Sequence, residues 1–131
     1  PELVLVHDGA RPFCSAKLID RILDAAYEHG AAIPVLPLMD TIRRVTEEKT
    51  EVVERDELFA VQTPQGFLLE QLLYASMQIT ANKWTVTDDA SMIENAGGRI
   101  TTVEGDPQNL KITTPADLER ADWILKSTNL S

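Results

Sequence analysis

The chain has 131 residues, 44% of them hydrophobic and 25% charged, and its 21 acidic against 12 basic side chains give a net charge of −9. That length suits one domain able to bury a core, and no apolar run approaches the roughly 18–20 residues a membrane span requires. The acidic balance disfavours nucleic acid and anionic membrane as partners, so a phosphate-handling site has to gather its few cations locally.

Leu3 to Val6 is a continuous leucine and valine run, the pattern of a strand covered on both faces. Because the chain opens directly into it, the expectation is that further sequence precedes it. Pro1-Glu2-Leu3 has neither the basic region nor the apolar stretch of a signal peptide. His7-Asp8-Gly9-Ala10-Arg11-Pro12 then punctuates a loop. Ser15 is a plausible helix cap, Leu18, Ile19, Ile22, Leu23 and Ala26 recur at helical spacing, and Gly30 stops the helix. Ala31 to Leu38 reads as a second buried strand, with Pro34 and Pro37 limiting its pairing.

Thr41 to Arg55 contains two β-prone runs around the charged stretch Glu47-Glu48-Lys49-Thr50, and we expect a hairpin arm projecting from the body. An isolated hairpin is marginal in water, so a second chain would give its apolar residues cover. After a loop holding Gln62-Thr63-Pro64-Gln65-Gly66, the pattern predicts an amphipathic helix over Phe67 to Ile79. Thr87-Asp88-Asp89 opens a short helix ending at Gly97-Gly98, its acidic first turn matched to the helix dipole. Arg99 to Val103 and Leu110 to Thr113 are strand candidates. Thr114 caps the last helix with Pro115 in its first position, and Leu118, Ala121, Ile124 and Leu125 form its apolar face. Alternating strands and helices argue for an α/β sheet covered by helices.

In such sheets ligands bind beyond the carboxyl ends of the strands, which favours Asp8 and Arg11. Asp8 can hold a divalent cation or sugar hydroxyls and Arg11 a phosphate, or the two can simply pair with each other. Lys111 offers a point charge to an anion, or snorkels outward from apolar neighbours. Thr63 and Thr87 stand where phosphate is readily bound, although threonines there are commonly caps. Arg55, within Val53-Glu54-Arg55-Asp56-Glu57, has a surface ion pair as its ordinary reading. The lone Cys14 excludes an internal disulfide framework and fits a reducing cytoplasm. No nucleophile triad or zinc ligand cluster is evident, and His7 is read only as orienting its loop.

Taken together, Val6-His7-Asp8-Gly9-Ala10-Arg11-Pro12, Asp40-Thr41-Ile42, Gln62-Thr63-Pro64-Gln65, Thr87-Asp88-Asp89-Ala90-Ser91 and Asn109-Leu110-Lys111-Ile112-Thr113 resemble one family, the 2-C-methyl-D-erythritol 4-phosphate cytidylyltransferases. The resemblance implies a Rossmann-like three-layer α/β/α nucleotidyltransferase sheet, dimeric through a β-arm and using Mg²⁺. By motif, Arg55 and Lys111 would position the substrate phosphate for attack on the α-phosphate of CTP, with Arg55 reaching into the neighbouring subunit. Asp8, Arg11, Thr41, Thr63 and Thr87 would line the polyol phosphate pocket. The glycine-rich loop and following lysine with which the family grips CTP are absent from these 131 residues. The expectation is therefore the C-terminal part of a single cytidylyltransferase domain, inactive by itself. Two rivals stand beside it: a ribitol-5-phosphate cytidylyltransferase, and a non-catalytic binding or dimerisation module.

Overall fold

A computed structural model describes residues 2–127. The chain runs β1 (Leu3–Val6), α1 (Ala16–His29), β2 (Ala31–Pro37), β3 (Ile42–Val45), β4 (Thr50–Val53), β5 (Phe59–Val61), β6 (Gln65–Leu68), α2 (Leu69–Asn82), α3 (Asp89–Asn95), β7 (Thr101–Glu104) and α4 (Pro115–Ser127). In a five-stranded sheet β1 pairs with β6, β6 and β5 both pair with β2, and β7 pairs with β2. β1, β2 and β7 share one direction, while β5 and β6 oppose it. β3 and β4 form a separate two-stranded arm.

α1 begins where the Ser15 hydroxyl accepts the Leu18 amide at 3.2 Å, and it ends at Gly30, whose φ of 98° is one that glycine adopts freely. Its fully buried stripe, Leu18, Ile22 and Ala26, lies on one sheet face with Ala32, Leu3, Leu5 and Val103. Burying Leu18 and Ile22 stabilises the fold by about 1.5–3 kcal/mol each. The opposite face packs Ala31, Phe67, Val4 and Val6 against Ala75 of α2 and Ile93 of α3. These two clusters make the expected three-layer α/β/α arrangement.

Four expectations change on contact with the structure. Gln65 and Gly66, read as loop, open β6, and Phe67 and Leu68 belong to that strand, so α2 starts at Leu69; β5 lies just before the loop, where no strand was expected. Gly66 conceals the strand because glycine is a poor strand former, yet a Cβ there would lie 2.7 Å from Cγ2 of Ile22. The packing of α1 on β6 demands glycine at that point. Second, Pro34 and Pro37 do not keep β2 at the margin, for β2 pairs with β5, β6 and β7. β5 and β6 lie along one edge of it, and their register slips by two residues between the Val35–Val61 and Ala32–Gly66 pairs. Pro34 faces this bulge and needs only its carbonyl, which accepts the Gln62 amide at 2.9 Å. Third, Leu110 to Thr113 forms no strand, although Leu110 is buried. Fourth, α4 buries Ala121 and Ile124 but leaves Leu118 and Leu125 exposed. Its start is a reciprocal cap: Thr114 Oγ1 accepts the Asp117 amide, and the Asp117 carboxylate accepts the amides of Thr113 and Thr114.

Candidate active site

The carboxyl end of β1 delivers His7 and Asp8, and the bulge between β5 and β6 sets Thr63 beside them. The Asp8 amide donates to Thr63 Oγ1 at 2.9 Å. Asp8 Oδ2 accepts Arg11 Nε at 3.2 Å and lies 3.9 Å from Lys111 Nζ. Lys111 comes from the segment after β7, which is tied back by the Ile112 amide donating to the Ala10 carbonyl at 2.9 Å. Asp8, Arg11, Thr63 and Lys111 thus converge beyond the carboxyl ends of β1 and β7. Two cations and one carboxylate leave a local positive excess on an acidic protein, which suits an anion carrying hydroxyl groups.

Of the two open readings of Asp8 and Arg11, the structure realises the pairing of one with the other. Arg11 is the more buried cation, with its side chain 12% exposed against 49% for Lys111. One guanidinium nitrogen of Arg11 donates to the Asn109 carbonyl at 2.7 Å. Asn109 is fully buried, and its Nδ2 donates to the Thr63 carbonyl at 2.7 Å. Gln62, also buried, accepts the Asp106 amide at 3.0 Å and donates to the Asp106 carbonyl at 2.9 Å. Two buried amides therefore bind the bulge to the segment after β7, and the charged groups ride on them. Sequence reasoning did not single out either amide as functional. The one signal for them was that both lie inside the motifs carrying Thr63 and Lys111.

Thr87 and Thr41 are exposed. Thr87 stands next to Asp88, the true N-cap of α3, and its hydroxyl is 3.3 Å from that of Ser91. Gln65, at the head of β6, reaches Asp88 with Nε2 at 3.5 Å, so Thr87 borders the same end of the sheet. Thr41 and Arg55 flank the arm, away from the Asp8 cluster in its hydrogen-bond network. Among the described residues Arg55 makes no salt bridge, although Glu54, Asp56 and Glu57 surround a cleft beside it. The ordinary surface-pair reading is thus not realised among the described residues.

Asp88 also supplies a pH-dependent contact. Partial burial pushes its carboxyl up, but hydrogen bonds from the Ser91 hydroxyl and amide and from Gln65 outweigh this and hold it below the usual range. A depressed carboxyl stabilises the fold above its unfolded pKa and loses that contribution as pH falls through the folded value. We expect Asp88→Ala to cost about 1 kcal/mol at neutral pH. Urea unfolding should show that difference narrowing as the pH drops below the ordinary carboxylate range; a constant gap would assign the loss to packing.

Among the described residues there is no group of three or more His, Cys, Asp or Glu placed to hold a metal ion. Asp8 is the one carboxylate in the cluster, and its Oδ2 already faces Arg11 and Lys111. These residues do not form a magnesium cage of their own.

An α/β/α sheet with a cationic cluster at the carboxyl ends of its strands defines a Rossmann-like α/β protein, in which ligands bind beyond those strand ends. The chain belongs to the IspD family, 2-C-methyl-D-erythritol 4-phosphate cytidylyltransferase, whose model matches residues 1–127. It is similar to the cytidylyltransferase of that name from Bacillus licheniformis, with 47% identity over 127 residues, covering 96% of this chain and 55% of the relative. The relative from Parasynechococcus marenigrum is 44% identical over 126 residues, 95% of this chain and 56% of its own length. The fold is similar to the crystal structure of the Thermus thermophilus enzyme, with a TM-score of 0.89 and 42% identity, covering 95% of this chain and 62% of that one. The chain therefore spans little more than half the length of the sequence relatives it matches.

Proposed function

We propose that this chain supplies the acceptor half of a cytidylyltransferase that transfers a cytidylyl group from CTP to 2-C-methyl-D-erythritol 4-phosphate. The convergence of Asp8, Arg11, Thr63 and Lys111 beyond β1 and β7 carries the reading. A phosphate oxygen of the polyol phosphate attacks the α-phosphorus of CTP, a P–O bond forms, and pyrophosphate leaves. Two anions have to meet, so positioning and charge neutralisation dominate the catalysis. Lys111, with Arg55 from a second subunit, holds the attacking phosphate, while Arg11, Asp8, Thr41, Thr63 and Thr87 line the pocket. Mg²⁺, for which these residues form no cage, would arrive with the phosphates of CTP and would supply charge neutralisation there. The working compartment is the cytoplasm, in keeping with the unpaired Cys14.

Titration calorimetry of the chain with methylerythritol phosphate and with ribitol 5-phosphate tests the assignment. Binding of the first and not the second is expected, and Lys111→Ala should weaken it about tenfold. Equal affinity for both polyols would overturn the choice of acceptor.

The arm is assigned to a homodimer contact. Val45 and Val52 remain 71% and 60% exposed on it, and Phe59 and Val61 of β5 are half exposed beside its base. Sedimentation should show dimers of the chain shifting to monomers when residues 42–53 are replaced by a short glycine linker. A dimer indifferent to that deletion would place the contact elsewhere.

A further inference from the structure

His7 stands outside the roles assigned so far, yet its ring touches two parts of the cluster. Nε2 lies 2.9 Å from the Arg11 carbonyl, and Nδ1 lies 3.0 Å from Thr63 Oγ1. A carbonyl oxygen only accepts, so Nε2 carries the hydrogen. In a neutral imidazole the other nitrogen is then a bare acceptor. The Thr63 hydroxyl must therefore donate its proton to Nδ1. The same oxygen accepts the Asp8 amide at 2.9 Å. A hydroxyl has one proton and two lone pairs. With the proton and one lone pair engaged, Thr63 has a single lone pair left for a ligand.

That inventory limits what Thr63 can recognise. It can accept an O–H, but it has no proton to donate to a phosphate oxygen. Arg11 and Lys111, which only donate, suit the phosphate. We infer that His7 is a positioning residue that keeps the Thr63 hydroxyl as a hydrogen-bond acceptor, so that this edge of the pocket reads a substrate hydroxyl and excludes a phosphate. The inference rests on the polyol phosphate reading above and adds the orientation of the bound molecule: phosphate towards Lys111 and Arg11, a hydroxyl towards Thr63.

The tautomer is directly measurable. In a long-range ¹H–¹⁵N correlation spectrum at alkaline pH, where imidazoles are neutral, His7 should show the Nε2–H form, with His29→Gln assigning its signals. An Nδ1–H form overturns the inference and leaves the polyol reading untouched. Calorimetry supplies the second arm, with methylerythritol phosphate and inorganic phosphate as ligands. His7→Gln, which lacks an acceptor at the Nδ1 position, should weaken polyol phosphate binding about five- to tenfold and leave inorganic phosphate within about twofold. His7→Asn, whose side-chain oxygen can stand in for Nδ1, should restore most of the loss. Equal weakening towards both ligands, or no difference between the two variants, would reduce His7 to a loop-shaping residue. No binding of methylerythritol phosphate by the unaltered chain would instead sink the functional reading, and the substrate selectivity with it.

Discussion

Subunits carrying Arg55→Ala and subunits carrying Lys111→Ala, each nearly inactive alone, should recover activity when mixed. The measurement needs a protein in which this chain follows a glycine-rich CTP-binding half. On the proposed reading each single change removes a charge-assisted contact to the attacking phosphate, and it should lower the rate roughly ten- to a hundredfold. If Arg55 serves the neighbouring site, a heterodimer holds one site with both cations and one with neither. Random mixing makes half the dimers heterodimers, so about a quarter of all sites should be complete. The motivation is local: Arg55 makes no salt bridge among the described residues despite its acidic neighbours, and the Asp8 cluster of its own chain does not engage it. Steady-state rates of mixtures that never exceed the better parent would end the shared-site proposal and return Arg55 to the surface of its own arm.

The second large effect concerns stability. Phe67 is fully buried and is the largest such side chain among the described residues. It joins β6 to α2 and α3 through Ala75 and Ile93, and β6 in turn separates β1 from β2. Phe67→Ala should cost about 3–5 kcal/mol, combining lost transfer energy with an unfilled cavity. Phe67→Leu should cost much less, because it retains most of the volume. Urea unfolding followed by Trp fluorescence gives both values. A loss below about 1 kcal/mol for the alanine variant would mean that this face of the sheet is loosely packed.

How far the sequence was legible depended on whether a residue's role was local. Ser15, the Leu18–Ile22–Ala26 stripe and Gly30 announce α1, because caps and helical spacing act within a few residues. Thr114 and Pro115 announce α4 in the same way. β6 was hidden because Gln65 and Gly66 resemble loop residues, and only the tertiary structure explains them: α1 packs on Gly66, while Gln65 on the other face reaches the α3 cap at Asp88. Leu118 and Leu125 look like core on a helical wheel, but the described chain leaves more than half of each exposed. In the site, Asp8, Arg11, Thr63 and Lys111 were legible through ordered motifs. Gln62 and Asn109 were not, since an amide that holds two distant segments together looks from sequence like any polar loop residue.

The contacts that assemble the cluster join positions far apart in the chain: 55 residues separate Asp8 from Thr63, 46 separate Thr63 from Asn109, and 98 separate Arg11 from Asn109. Contacts of such sequence separation carry a loop-closure cost that local contacts do not. A small anion bound there would stitch three remote stretches of chain together. Its stabilising effect should then appear as slowed hydrogen exchange in the core strands β1 and β6, well beyond the atoms it touches.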